Sequence, residues 1–279
     1  MNLIDLFRDQ RNPLYFFKLL KTLPQFELPS AVSFIFTMDV ELGPDESYAT
    51  AEKQTTNVLD FFNDYGHGTF FVDTDLLEHD AVPSLGKNEV GNHGYQHSAV
   101  GNNWWLRNED KKYDPAFIIE KSTALIKDHL NELPVSFRAP KFSIAPPTFS
   151  LLKKYGYSID SSLAPFNDQL FPVSVNGMLE IPVSRVPKPH WHFSGFPHLR
   201  YDSLMVNLLK AYGVEKFSLI TQQILSCWHG QKHPMLCFMG HPWEFDAQTF
   251  DLLRDYLDQL EKNVKVRYIT LKEYSQKIS

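Results

Sequence analysis

The chain has 279 residues and a formal net charge of −6 at pH 7. Its 43% hydrophobic and 22% charged residues are typical of a folded globular protein and exclude a disordered or fibrous one. We expect no nucleic-acid partner, because phosphate binding needs a basic face and the sequence shows no cluster of Lys and Arg. Two cysteines, Cys227 and Cys237, are too few for a disulfide framework, so both are expected to be reduced.

Residues 1–30 are expected to form an N-terminal extension with helical character, ahead of a catalytic domain at 31–279. Apolar residues such as Leu6, Phe7 and Phe16 are interspersed with basic ones, so the extension would pack against the domain or touch a membrane surface. We find neither the apolar stretch of a secretion signal nor the roughly 20 apolar residues of a membrane span. The sequence therefore predicts a cytoplasmic protein, with peripheral membrane contact through residues 1–28 as an alternative.

After Pro29, apolar runs typical of buried strands alternate with segments of helical periodicity. The predicted strands are 32–38, 69–72, 135–138, 157–160, 178–183, 235–240 and 265–270. The predicted helices are 49–65, 115–130, 147–155, 201–212, 216–228 and 247–262. This alternation predicts a parallel α/β fold, and a closed or nearly closed barrel fits the chain length.

Polar residues lie where several of the predicted strands end. Asp39 and Glu41 follow the first strand, Arg138 ends the third, Asp160 ends the fourth, and His241 follows the strand 235–240. In parallel α/β barrels the chemistry sits on the loops at the carboxyl ends of the strands. We therefore expect these side chains to converge.

The acidic pair Asp39 and Glu41 flanks Val40. An extended backbone places both carboxylates on one side of the strand and turns Val40 away. Burying two like charges together is costly without a cation or a strong donor. A metal ion together with Arg138 would meet that need.

The second pattern is the pair His93 and His97. Four residues apart, the two imidazoles would lie on one side of a helical turn, or on a compact loop in which Gly94 allows a tight path. Two imidazoles and two carboxylates supply three ligands for a divalent metal and a base beside its bound water. This combination predicts metal-assisted hydrolysis.

Six motifs in this chain resemble, in the same order, those of the polysaccharide deacetylases, the NodB-homology carbohydrate esterase family 4. They are FTMDVE at 36–41, GTFFV at 68–72, EVGNHGYQHS at 89–98, FRAP at 137–140, YSIDSS at 157–162 and GHPWE at 240–244. The similarity extends from about residue 32 to 272. It implies a distorted (β/α) barrel that removes N-acyl groups, usually acetyl, from amino sugars with one divalent metal ion. Zn is the expected ion, with Co, Ni and Mn as alternatives.

The resemblance also implies roles for single residues. His93 and His97 match the two histidine ligands of the metal. The other matched positions are Asp39 as the catalytic base, Arg138 as the residue that orients it, Asp160 as the carboxylate that supports the catalytic histidine, and His241 as the general acid.

The chain departs from the family pattern at Val40, where the family usually has a second aspartate that binds the metal. Valine cannot coordinate a metal, so Glu41 is the expected substitute, and binding by Asp39 itself is the alternative. Lys141 and Phe142 after the proline also differ from the family motif and could change substrate contacts.

The expected substrate is an N-acylated carbohydrate, with lipid-linked and nucleotide-linked forms as alternatives; the oligomeric state is not predicted. Three other readings stay open: a deformylase of a lipid-linked amino sugar, a small cyclic-amide hydrolase, and a catalytically silent glycan-binding module. A backbone N–H near Ala139 would help to stabilise the oxyanion. Candidates for sugar contacts, although packing is their commoner role, are Trp104, Trp105, Trp191 and Trp243.

Overall fold

A computed structural model describes residues 27–101, 106–162, 171–184, 186–191, 197–202, 204–228 and 230–278. The strands are β1 Ala31–Val40, β2 Thr69–Val72, β3 Glu89–Asn92, β4 Ser136–Phe137, β5 Ile159–Asp160, β6 Val173–Val175, β7 Met178–Glu180, β8 Val186–Trp191, β9 Pro197–Asp202, β10 Met235–Gly240 and β11 Lys265–Tyr268. The helices are α1 Tyr48–Tyr65, α2 Asp75–Glu78, α3 Pro115–Leu130, α4 Pro146–Lys154, α5 Met205–Ser226, α6 Ala247–Asn263 and α7 Leu271–Ile278. The predicted N-terminal helices lie outside the described residues.

Nine strands form one sheet in the order β10-β1-β2-β3-β4-β5-β7-β6, and β11 pairs with the first half of β1. The pairs are parallel except for the β6–β7 hairpin. Ser184, just after β7, donates its N–H to the carbonyl of Cys237 in β10, and the Cys237 N–H donates to Ser184 Oγ at 3.0 Å. The far end of the sheet thus curls back toward β10, as the predicted distorted barrel requires.

The two faces of the sheet pack differently. Phe34, Phe36 and Val40 of β1 lie in the larger core between the sheet and the helices, where Phe36 stacks on Phe62 with ring centroids 4.0 Å apart. Ile35 points the other way, into a smaller core inside the curled sheet. Because side chains alternate along a strand, Asp39 shares the inner face with Ile35. Val40 is turned outward, as the sequence predicts.

The prediction of two helices at 201–212 and 216–228 is confirmed in number, but the first helix begins later than predicted. Residues 201 and 202 end β9, and the helical segment α5 extends from Met205 to Ser226. Gly213 has φ +67° within it, a conformation glycine adopts readily, so the two segments join across a kink.

Four strands and two helices were not predicted. The missed strands are β3, β6, β8 and β9, and the missed helices are the short α2 and α7. Among the described residues, no helix is long and apolar enough to cross a lipid bilayer.

Candidate active site

Three side chains that can bind a metal converge at the carboxyl edge of the sheet. Glu41 directly follows β1, His93 directly follows β3, and His97 lies in the loop beyond. Glu41 Oε2 is 2.7 Å from His97 Nε2 and 3.5 Å from His93 Nε2. One ligand atom from each residue lies within 4.8 Å of the other two. The structure therefore brings together the three residues that the sequence proposes as ligands.

The orientation of His93 suits metal binding through Nε2. His93 Nδ1 lies 2.8 Å from the carbonyl oxygen of Arg138. Because a carbonyl only accepts, Nδ1 carries the proton, and a neutral imidazole then has its lone pair on Nε2. Metal-binding histidines commonly show this arrangement, in which the second ring nitrogen is held by an outer partner.

The loop that carries His97 has an uncommon backbone. Gln96 and His97 have φ values of +50° and +47°, in the left-handed region that costs non-glycine residues roughly 1–3 kcal/mol each. The Gly94 carbonyl accepts from the N–H and the hydroxyl of Thr74 at 3.0 and 2.8 Å, and the Gly94 N–H donates to Asn92 Oδ1 at 2.6 Å. Of the two conformations that the spacing allows, the structure shows the compact loop.

This set of donor atoms fits a divalent metal. Two imidazole nitrogens and one carboxylate oxygen form a common ligand set for catalytic zinc, and they also accept other first-row ions. Glu41 Oε2 is buried and makes no hydrogen bond of acceptable geometry with the described residues. Burial raises the pKa of Glu41, but the neighbouring His93 and His97 lower it more, so the pKa lies well below its usual value. The carboxylate is therefore ionised at neutral pH.

Asp39 and Arg138 form a buried ion pair beside these ligands. Asp39 is 3% exposed and Arg138 is 0% exposed. Arg138 Nη1 donates to Asp39 Oδ1 and to Thr37 Oγ1, both at 2.8 Å, while Nε and Nη2 donate to the carbonyl and the hydroxyl of Ser161. Asp39 Oδ2 lies 3.9 Å from His93 Nε2. One carboxylate oxygen is thus held by arginine and the other is on the side of the metal ligands.

The Arg138 guanidinium also lies over the ring of Phe71, 4.4 Å from its centroid. Gly91 in β3 makes room for this ring, because a Cβ at Gly91 would lie 2.5 Å from Phe71 Cδ1. Gly91, two residues before His93, therefore supports the position of Arg138.

His241 follows β10 and faces the same centre. Its Nε2 lies 3.5 Å from Glu41 Oε1, its Nδ1 lies 3.5 Å from Glu244 Oε2, and its ring stacks on Trp243 with centroids 4.4 Å apart. Burial lowers the pKa of His241, but the carboxylates of Glu244, Asp39 and Glu41 raise it more, so the pKa lies above its usual value. These contacts favour a cationic imidazole.

The contacts that the structure describes for Asp160 do not include the His241 ring, which its predicted role involves. Its carboxylate accepts from the hydroxyl and the N–H of Ser162 at 2.7 and 3.2 Å and shares a hydrogen bond with Glu180. Burial raises the pKa of Asp160. In the contacts that the structure describes, the carboxylate next to His241 Nδ1 belongs to Glu244. Glu244 is therefore a second candidate for the supporting role, and the role of Asp160 stays a prediction.

Replacing Glu244 by Gln is expected to shift the alkaline limb of the pH profile of kcat/KM to lower pH. The backbone N–H of His241 donates to Glu244 Oε2 at 2.9 Å, and Gln keeps an oxygen that can accept this hydrogen bond. Gln removes, however, the negative charge that raises the pKa of the His241 ring. A general acid works only while protonated, below its pKa, so a lower pKa ends activity at a lower pH. The exposed variant Glu132→Gln is the matched control, and an unmoved alkaline limb in Glu244→Gln would refute the assignment.

Two further acidic residues were missed by sequence reasoning. Glu180 pairs with Asp160, and Asp73 follows β2 at the same edge of the sheet. Asp73 is 3% exposed, and burial together with the Asp75 and Glu41 carboxylates raises its pKa. A polar residue directly after the predicted strand 69–72 was the available signal for Asp73.

The expected oxyanion donor is not free in this structure. The Ala139 N–H donates to Ser162 Oγ at 2.8 Å, so it would first have to exchange this partner. Of the tryptophans proposed for sugar contacts, Trp243 lies at the site against His241. Trp104 and Trp105, and the side chain of Trp191, lie outside the described part of the structure.

The fold and these side chains define a barrel-type α/β protein with a candidate metal centre at the carboxyl edge of its sheet. Residues 35–159 match the model of the polysaccharide deacetylase family. The matched segment contains Asp39, Glu41, His93, His97 and Arg138, and it confirms the resemblance seen in the motifs. The similarity to the polysaccharide deacetylase family is thus found for this segment, which is a little less than half of the chain.

Solved structures support the fold. A candidate polysaccharide deacetylase from Mycobacterium smegmatis is similar with a TM-score of 0.58 and 16% identity, over 92% of each chain. Puue allantoinase is similar with a TM-score of 0.61 and 12% identity, over 91% of this chain and 93% of the other. At such identities the likeness concerns the fold, and it confirms the predicted distorted barrel. No curated protein sequence gives a significant match.

Proposed function

We propose that this protein is a metal-dependent hydrolase that removes an N-acetyl group from an amino sugar in a glycan or glycan precursor. The observation that carries the proposal is the convergence of Glu41, His93 and His97 beside the buried Asp39–Arg138 pair. The match of residues 35–159 to the polysaccharide deacetylase family model supports the reaction class. The cytoplasmic location stays a prediction from the sequence.

In this proposal Glu41, His93 and His97 hold one divalent ion, with Zn expected and Co, Ni or Mn as alternatives. When bound, the ion would lower the pKa of a water ligand from about 15.7 toward about 7 and polarise the acyl carbonyl. Asp39 is the better candidate for the base than for a ligand, because Arg138 already occupies its Oδ1.

The remaining steps belong to side chains of the chain itself. Asp39 Oδ2 accepts a proton from the attacking water while Arg138 keeps the carboxylate in place. His241 donates a proton to the amine nitrogen as the bond between this nitrogen and the acyl carbon breaks. Glu244 stabilises the cationic form of His241 that this step needs.

The test is release of acetate from N-acetylated amino sugars supplied free, nucleotide-linked and lipid-linked, each beside its N-formylated counterpart. We expect acetate from at least one substrate with the Zn-loaded protein and none after chelation. Release of formate alone would replace the proposal with a deformylase, and hydrolysis of a cyclic amide alone with an amidase of that class. Glycan binding without turnover would indicate the silent binding module.

A further inference from the structure

Trp243 lies beside His241, in the short turn Pro242–Glu244 that follows β10. The indole and the imidazole are stacked, with ring centroids 4.4 Å apart and an angle of 13° between the two planes. Two flat rings in this arrangement keep their contact only while they stay nearly parallel, and tilting one of them gives up that contact. Trp243 therefore restrains the plane of the His241 ring.

Two carboxylates fix the direction of the His241 ring within this plane. Nδ1 lies 3.5 Å from Glu244 Oε2, and Nε2 lies 3.5 Å from Glu41 Oε1. A half turn of the ring about its bond to Cβ would put carbon atoms next to both carboxylates, and halfway through it the ring would stand perpendicular to the indole. The stack on Trp243 opposes this rotation. Together the three contacts keep Nε2 directed at the candidate metal centre.

Trp243 is itself held by the connection between β1 and α1. Gly43 in this connection leaves room for the indole, because a Cβ at Gly43 would lie 3.0 Å from Trp243 Cδ2. The Gly43 N–H donates to Glu46 Oε2 at 3.0 Å, and Gln54 Nε2 of α1 donates to Glu46 Oε1 at 2.7 Å. The indole thus lies against a stretch of backbone that is hydrogen-bonded, through Glu46, to the following helix.

Two commoner roles of a tryptophan fit this position less well. Trp243 is half-buried and belongs to neither of the two cores of the fold. A sugar contact needs an open face of the indole, and His241 already covers one face. A general acid has to lie within hydrogen-bond reach of the atom that it protonates, so a restraint on its ring has a direct chemical use. The stacking geometry therefore favours a role that Trp243 exerts through His241.

We propose that Trp243 is a positioning residue for His241: its indole keeps the imidazole oriented so that Nε2 can protonate the departing amine nitrogen. The inference rests on the proposed function for the step that His241 performs. The orientation of the ring can be measured without substrate or metal, so the two proposals fail separately.

The first measurement is NMR spectroscopy of the histidine rings in the metal-free protein. Protons that lie over an indole are shifted upfield by its ring current, and the signals that disappear in His241→Gln are those of His241. We expect the wild type to show the His241 ring protons shifted upfield, Trp243→Phe to keep a smaller shift, and Trp243→Leu to lose it. Trp228→Phe, at a tryptophan that packs on Phe171, is the matched control and is expected to match the wild type.

The second measurement is kcat and KM with the best substrate of the acetate assay. We expect Trp243→Leu to lower kcat about 10- to 100-fold with KM within about twofold of the wild type, because a misoriented general acid loses part of its contribution. Trp243→Phe is expected to keep kcat within about threefold of the wild type, because a phenyl ring still offers a face for stacking.

A raised KM with unchanged kcat in Trp243→Leu would overturn the inference in favour of a sugar contact. Equal losses of kcat in Trp243→Phe and Trp243→Leu, or His241 ring protons without an upfield shift in the wild type, would also overturn it. A wild type that shows the upfield shift and releases no acetate would contradict the proposed function and leave the restraint on the His241 ring standing.

Discussion

Replacing Asp39 by Asn lowers kcat by about 10²- to 10⁴-fold, the usual contribution of a positioned general base. Asn has nearly the shape of Asp and keeps an oxygen that can accept from Arg138 Nη1, but it cannot take a proton from water. The Asp39 oxygen next to His93 Nε2 is the one that would act as the base. The measurement is kcat for the best substrate of the acetate assay, together with bound metal per chain.

The matched control is Asp64→Asn, an exposed aspartate at the end of α1, which is expected to keep wild-type kcat. Asp39→Asn is expected to retain its metal. Loss of the metal in this variant would make Asp39 the carboxylate ligand in place of Glu41. Wild-type kcat with full metal occupancy would remove Asp39 from the mechanism.

Replacing Arg138 by Met lowers the free energy of unfolding of the metal-free protein by about 3–5 kcal/mol at neutral pH. Arg138 is 0% exposed, and its guanidinium donates to Asp39, Thr37 and Ser161. Methionine fills much of the space but leaves the buried Asp39 carboxylate without a partner. Urea unfolding of the variant and of wild type measures the difference.

A second variant separates the charge from the packing. When Asp39→Leu is combined with Arg138→Met, no unpaired charge remains, so the double variant is expected to be more stable than Arg138→Met alone. If the double variant is as unstable as the sum of the two single changes, the ion pair is not what stabilises this part of the core. A loss below about 1 kcal/mol in Arg138→Met would contradict the account directly.

The alternation of side-chain directions along β1 was predictable, because successive residues of a strand point to opposite faces even when both faces are buried. It placed Val40 outward and both neighbouring carboxylates toward the site. β3 was missed because its four residues, EVGN, contain one large apolar side chain. At Gly91 the space of a side chain is occupied by the Phe71 ring, which comes from another strand.

α7 was missed although the sequence carries a local signal for its start. Thr270 and Glu273 form a capping box: the Glu273 N–H donates to Thr270 Oγ1 at 3.1 Å, and the Thr270 N–H donates to Glu273 Oε2 at 2.9 Å. The N–H groups of Leu271 and Lys272 find partners far along the chain, in Thr69 Oγ1 and Glu89 Oε2, both at 2.9 Å. The left-handed backbone of Gln96 and His97 had no local signal, because nothing in either residue type demands it.

In the candidate site, the structure brings the three predicted ligands together, and it places Glu244 rather than the predicted Asp160 in the described contacts of His241. Asp160 was assigned by resemblance alone, whereas Glu244 lies three residues after His241 in a short helical turn, Pro242–Glu244. Its carboxylate accepts from the backbone N–H of His241 at 2.9 Å, and the same oxygen, Oε2, lies 3.5 Å from Nδ1 of the ring. The conformation of this turn, rather than the motif, decides which acid contacts the histidine.

The most direct test of the central claim is a calorimetric titration of metal-free protein with Zn. Wild type is expected to bind one equivalent, and the double variant His93→Ala, His97→Ala is expected to bind none at that affinity. The control double variant His67→Ala, His129→Ala removes two histidines away from the site and is expected to match wild type. Stoichiometric Zn binding by the His93→Ala, His97→Ala protein would contradict the account.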